Sequence, residues 1–416
     1  MRLPAPNLKL GLSLGRRSGA DVVGLDIQPG FIAAARVRVN GTIAAERAAT
    51  IALPADAMRD GEVLDQDALC NALRELFADG GLGKRVRIGV ANQRTVLRIL
   101  ELPPVTDHKE LAAAVTFQAQ DQVPMPLNNA VLDFHPLGVI DTPAGPRQRV
   151  VLVAAQRDMV ERLLAVVRRA GLTAEGVDLS AFALIRSLYR AEPEQSGRVL
   201  YLNVDGLTNL AIAEGTVCRF TRVVGSGLEG MASELAERRG IALIDARSRL
   251  AEADLSAPAP DSEPIVLPDP EADVPLADQL PGEEPSFESR EELEAHEQEL
   301  SYEELATVAP APEELAPQAS EIDVWTVLDN GIREISGEVR NSLDFHRSQD
   351  GGGEVSHVIL SGAAQDIPGF AEALQSSLGV EVRPAEVSVV SGGLDSAVSP
   401  HRLAVATGLA ATEAPR

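Results

Sequence analysis

Residues 21–39, DVVGLDIQPGFIAAARVRV, read as two apolar runs folded about Gln28-Pro29-Gly30, the signature of a tight β-hairpin. After Asn40-Gly41 the run TIAAERAA adds a third strand. The pattern returns later in the chain. RVLYLNV ends at Asp205-Gly206, and TNLAIAEG and TVCRFTRVV follow around the Glu214-Gly215 turn. Each meander leads into a helix. The first spans about 65–78, with Leu69, Leu73, Leu76 and Phe77 at helical spacing. The second is entered through Gly225-Ser226-Gly227 and ends near Arg239, where Gly240 is placed as a C-terminal stop. The glycine-rich entry reads either as a tight strand-to-helix turn or as an anion site on helix N–H groups.

Between the two units, RVRIGVA and TVLRILEL form a strand pair that ends at Pro103-Pro104. Thr106-Asp107 is suited to cap a helix running from about His108 to Gln122, and Val123-Pro124-Met125-Pro126 stops it. A strand at 131–136, a turn at 141–145, a strand at 149–155 and an amphipathic helix at 159–170 complete a small α+β subdomain, expected over 84–176. Farther on, VDLSAFALIRSLYR reads as a helix. A long helix is expected from Val324 to Arg347, then the strand EVSHVILSG, the helix FAEALQSSLG, the strand VEVRPA and a small-residue helix over 402–411.

The chain has 416 residues with 45% hydrophobic content, ample for packed cores, but only 3% aromatics and one Trp. Those cores must be aliphatic, and few rings remain for stacking on bases. The net charge of −25 also argues against nucleic acid, whose phosphates demand accumulated Lys and Arg. Most of that charge is local: residues 251–320 hold 20 Asp and Glu against Arg290 alone, together with eleven prolines. Such a stretch buries too little apolar surface to offset chain entropy and is expected to be disordered, with at most a transient helix at 289–304. Cys70 and Cys218 are far apart and indicate no disulfide framework. The basic tail 1–20 lacks the apolar core of a signal peptide, and no run is long enough to span a bilayer, which predicts a cytoplasmic protein. Six histidines show no ligand-like spacing, and no nucleophile triad is visible.

Two βββα units, each opening on a hairpin near an Asp and separated by an inserted subdomain, resemble the actin-like ATPase superfamily. The stretch RIGVANQRTVLRILELPPVTDHKELAAAVTFQAQDQVPMPLNNAVLDFHPLG is similar to the PilM family pattern, in which a strand pair ends at Leu-Pro and a Val-Pro-x-Pro stop precedes a Leu-Asp-Phe strand. EISGEVRNSLDFHRSQ and HVILSGAAQDIPGFAEALQSSLGVEV resemble the same family's later helix end and adenosine-loop segment. The resemblance implies an actin-like (ribonuclease H-like) α/β fold with duplicated domains and an inserted α+β subdomain. On it the segments are a tail (1–20), the first part of domain 1 (21–83) and the insert (84–176). The end of domain 1 and start of domain 2 (177–250), the acidic segment (251–320), the rest of domain 2 (321–411) and a tail (412–416) follow. FtsA-like proteins are the nearest alternative, although they would carry a C-terminal amphipathic membrane helix.

The resemblance also implies a site for ATP with Mg²⁺. Asp26 matches the metal-proximal acid of the first hairpin, with Gln28 and Gly30 at its turn. Asn203, Asp205, Gly206 and Thr208 make the second hairpin, Gly225 and Gly227 the helix entry, and Ser361 and Gly362 the adenosine turn. Four departures stand out: Gln28 replaces a glycine, Pro29 removes an N–H, Asn203 replaces an acid, and Ala363-Ala364 replace glycines. These predict a degenerate cleft without turnover. As partners, the family implies the N-terminal peptide of a PilN-type inner-membrane protein, held by the insert through Phe117, Val123, Met125, Val131, Asp133 and Phe134. A pilus motor ATPase is a further expected partner, and membrane contact is expected only through a partner.

Overall fold

The computed structural model describes residues 22–40, 42–191, 197–257, 312–349, 351–390, 392 and 398–411. The N-terminal tail, the C-terminal tail, the 289–304 helix and most of the acidic segment lie outside these residues. Strands β1 (Val23–Gln28) and β2 (Phe31–Val39) form the expected hairpin, with Gln28 opposite Phe31 and Pro29-Gly30 at the turn. β3 (Ile43–Ala52) completes the antiparallel meander. A short ribbon, β4 (Met58–Arg59) with β5 (Glu62–Val63), leads to α1 (Gln66–Leu76). Asp65 caps α1 by accepting the N–H groups of Asp67 and Ala68.

β6 (Arg85–Val90) follows and pairs parallel to β1. Then come β7 (Val96–Leu102), α2 (His108–Gln122), β8 (Ala130–Thr142) and β9 (Gly145–Gln156), with the three strands forming their own sheet in the order β7-β9-β8. The chain returns through α3 (Arg157–Arg169), β10 (Thr173–Leu179) and α4 (Ser180–Leu188). The insert is therefore shorter than the expected 84–176. Val86, Ile88 and Val90 of β6 are buried between β1 and β10, and Val160, Leu163, Leu164 and Val167 of α3 join the core that holds Leu69 and Leu73 of α1. Both elements belong to the large sheet because their apolar faces are used there. Thr173–Leu179 is also a strand, whereas the start of VDLSAFALIRSLYR was expected to be helical. Parallel pairing with β6, adjusted by a bulge near Gly176, overrides the local pattern.

The second lobe repeats the first. β11 (Arg198–Val204), β12 (Thr208–Glu214) and β13 (Val217–Val224) form its meander. Next are α5 (Leu228–Arg239), α6 (Leu243–Ala251), α7 (Pro312–Ser348), β14 (Val355–Ser361), α8 (Phe370–Leu378), β15 (Val382–Pro384), β16 (Ser388–Val389) and α9 (Ala404–Ala410). Helix α7 begins at Pro312 and not at Val324, and proline is preferred at a first helical position. The sheets run β10-β6-β1-β2-β3-β16 and β13-β12-β11-β14-β15. Apart from β16, the two orders are equivalent: an antiparallel meander extended by two parallel strands.

Helix α9, AVATGLA, is buried along its whole length. A Cβ added at Gly24 of β1 would lie 1.8 Å from the carbonyl oxygen of Ala406, and one at Gly408 would lie 1.8 Å from that of Ala183 in α4. Glycine is required at both contacts because backbone meets backbone. The C-terminal carbonyls of α9 are satisfied by arginines: Arg87 donates to Leu409 O (2.8 Å) and Ala411 O (3.0 Å), and Arg186 to Gly408 O (3.0 Å). Arg186 is itself paired with buried Asp178.

Candidate functional site

Alternation along β1 places Asp26 and Gln28 on one face, and the Gln28 amide donates to both Asp26 oxygens (3.2 and 3.4 Å). Both side chains are 1% exposed. Burial, and then the nearby charge of Asp205, push the Asp26 carboxyl up to about 8, against a smaller opposing effect of the Gln28 hydrogen bond. In the second lobe Asn203 is the penultimate residue of β11, Val204 ends the strand, and Asp205 opens the turn. Asn203 donates through Nδ2 to Asp205 Oδ2 (2.8 Å) and accepts at Oδ1 from Ser361 Oγ (2.8 Å). Asp205 Oδ1 takes the backbone N–H of Ala363 (2.7 Å). Burial raises the Asp205 pKa, and the Ala363 and Asn203 bonds oppose that rise.

The glycines fix how these turns meet. Gly362 has φ +97°, its N–H donates to His401 O (3.1 Å), and a Cβ there would lie 2.4 Å from Val204 O. Gly227 packs on the second hairpin, where a Cβ would stand 2.5 Å from Gly206 O, and Leu228 N–H donates to Asp205 O (2.7 Å). A Cβ on Gly206 would be 2.0 Å from Pro29 O, so the two hairpin tips touch. Gly30, at φ +90°, faces the Glu229 carboxylate. Thr208 is buried, and its hydroxyl has no hydrogen-bond partner among the described residues. Gly225 faces Gln93 and Asp60 instead.

The structure thus gathers Asp26, Gln28, Asn203, Asp205, Gly206, Ser361 and Gly362. It adds residues that sequence reasoning missed, Glu229, Arg247 and Arg402, and joins Ala363 to the set through its N–H. Arg247 of α6 is paired with Glu229 (Nε to Oε2, 2.8 Å) and donates to Leu53 O (3.1 Å). Arg402 lies 5.4 Å from the centre of the Phe31 ring and 3.5 Å from Asp366, which also accepts from Ser399 and meets His401. Beside them is a cavity of about 310 Å³ lined by Phe31, Thr50, Ile51, Ile244, Ser248 and Ile367. Neither Asp26 nor Asp205 lines it. Among the described residues no cluster of three or more His, Cys, Asp or Glu is placed to hold a metal ion.

A magnesium nucleotide needs N–H groups or cations facing its phosphates, and an acid free to hold the ion. The donor set between these turns fits that demand poorly, the unpartnered Thr208 hydroxyl aside. Pro29 brings a carbonyl and no N–H, both Asp205 oxygens and both ends of the Asn203 amide are engaged, and the Ala363 N–H is taken by Asp205. Arg247 and Arg402 are already paired with carboxylates.

The expected partner residues divide. Phe117 stands on the outer face of α2 and is 74% exposed. Met125 and Phe134 are half-buried against the insert core, with the Phe134 ring 5.4 Å from His108. Asp133 is half-buried and accepts the N–H of Phe134 (2.9 Å). Val123 and Val131, in contrast, are not surface residues. Val123 packs with Leu111, Val115 and Ala119 in the core beneath α2, and Val131 enters the first-lobe core. Strand β8 pairs only with β9 among the described residues, so its other edge is unpaired.

Two sheets of matching order, each opening on a hairpin with a buried acid in or beside its turn, and a small α+β insert in the first lobe define an actin-like fold. The sequence pattern of the family described as type IV pilus assembly protein PilM matches residues 24–246, just over half of the chain, and the chain belongs to that family. Among solved structures, the PilM–PilN type IV pilus biogenesis complex is 22% identical, with a TM-score of 0.66 over 94% of this chain and 98% of that one. The ethanolamine utilization protein EutJ from Carboxydothermus hydrogenoformans is 14% identical, with a TM-score of 0.46 over 93% and 88%. MreB5 of Spiroplasma citri, solved with ADP, is 11% identical, with a TM-score of 0.43 over 93% and 94%.

Proposed function

We propose that this chain is a cytoplasmic scaffold of type IV pilus assembly that holds the N-terminal peptide of a PilN-type inner-membrane protein on its inserted subdomain. The observation that carries this reading is the unpaired edge of β8 beside α2. An extended peptide added there gains main-chain hydrogen bonds, and alternate side chains meet the half-buried apolar surface of Phe134 and Met125. Membership in the PilM family and the likeness to a PilM–PilN complex support the choice of peptide. Among the described residues no helix is long and apolar enough to cross a membrane, and α9 is used entirely in packing, so membrane attachment is assigned to the partner. The acidic composition of 251–320 suits a basic face of a motor ATPase. Catalysis is not part of this reading.

Calorimetry with a synthetic N-terminal peptide of the PilN-type protein tests the proposal. Binding should be saturable and should weaken at least tenfold in Phe134→Ala, which removes a ring beside the β8 edge, with far-UV circular dichroism unchanged. Absence of binding to the wild type would overturn it.

A further inference from the structure

We infer that the two lobes of this chain are clamped together by their own side chains and backbone, in place of a magnesium nucleotide. Three contacts cross from one lobe to the other. At the base of the cleft, Gly206 abuts the carbonyl of Pro29, so the hairpin tips occupy the space that would separate them around a phosphate chain. Along one side, Arg247 of α6 reaches Leu53 O just beyond β3 while Glu229 holds its guanidinium and rests against Gly30. Along the other, Arg402 is held by Asp366, just beyond β14, and covers the Phe31 ring of β2. Arg247 and Glu229 are each less than one-fifth exposed, so their attraction is only weakly screened by solvent.

The second hairpin is tied internally as well. Ser361 donates to Asn203, Asn203 donates to Asp205, and Asp205 receives the Ala363 N–H. That chain locks the β11–β12 turn to the end of β14, with the Asn203 amide, both Asp205 oxygens and the Ala363 N–H already bonded to one another or to Ser361. Three of the four departures read from the sequence act together here. Asn203 supplies the amide that donates to Asp205, Pro29 supplies the carbonyl that Gly206 packs on, and the Gln28 amide donates to Asp26. The cavity beside the struts is lined by Pro29, Gly30, Gly206 and Ala363 of the turns but by neither carboxyl. This inference stands on contacts within the lobes and does not depend on the peptide assignment.

Hydrogen exchange followed by mass spectrometry tests it on the full chain, with and without millimolar MgATP or MgADP. The Ala363 and Leu228 amides, bonded to Asp205, should be protected in the wild type, and neither nucleotide should change their exchange or the melting temperature. In Arg247→Ala, peptides covering the hairpin tips should exchange roughly tenfold faster, because the Leu53 carbonyl and the Glu229 carboxylate lose their partner. Glu229→Gln should give a smaller effect in the same direction and serves where Arg247→Ala does not fold. A nucleotide-dependent rise in protection or melting temperature in the wild type would overturn the inference. So would unchanged tip exchange in both folded variants.

Discussion

The β1–β2 and β11–β12 hairpins hold the same station in two sheets of matching order, yet they treat their acids differently. Asp26 lies within a strand, is touched only by the Gln28 amide, and is held high by burial. Asp205 lies in a turn, two residues beyond the position that Asn203 fills, and both its oxygens accept strong bonds from Ala363 and Asn203. One acid is covered and the other is a structural tie. A duplicated fold preserves topology more readily than chemistry, since either hairpin can close its turn with whichever polar group satisfies the nearest N–H.

The largest expected effect breaks the second hairpin. Asp205→Ala strips acceptors from the Ala363 N–H and the Asn203 amide. At about 1–3 kcal/mol for each buried group left unpaired, urea unfolding should show a loss of about 4 kcal/mol.

The first hairpin should respond with the opposite sign. The folded pKa of Asp26 is above its unfolded value, so the native state keeps a proton that the unfolded chain gives up. Its contribution to stability is therefore greatest at low pH. It declines as pH rises from about 4 to about 8 and is flat above that window. Asp26→Asn should remove that part of the decline and stabilise the protein near pH 8, as read from melts across pH 4–9. An unchanged slope would mean that Asp26 is not buried as an acid.

Ser361→Ala probes the smallest term. It removes one hydroxyl bond to Asn203 and should cost about 1 kcal/mol by chemical unfolding, with the Asp205 bonds kept.

Much of this comparison was legible in the sequence because turn chemistry is local. Gln28-Pro29-Gly30 and Asp205-Gly206 mark the hairpins. Asp107 caps α2 by accepting the N–H groups of Lys109 and Glu110 (2.9 Å each), and Gly240 ends α5 in a left-handed conformation. What escaped was set by distant partners. The 84–176 boundary failed because β6 and α3 are claimed by the large sheet and α1, which no local pattern records. Val123 and Val131 looked like a docking surface, but the fold turns them into cores. Glu229 and Arg247 are 18 residues apart on separate helices and show no motif; only the fold brings them to Leu53 and Gly30. Asn203, by contrast, was read as a departure at the second hairpin, and the fold bonds it between Ser361 and Asp205.

In the proposed scaffold, this PilM-family chain holds its partner peptide on a body already closed by its own contacts. Calorimetry of the PilN-type N-terminal peptide against the wild type, with and without saturating MgATP, tests it most directly. The affinity should be the same in both conditions. Binding that appears only with MgATP, or tightens severalfold in its presence, would contradict it.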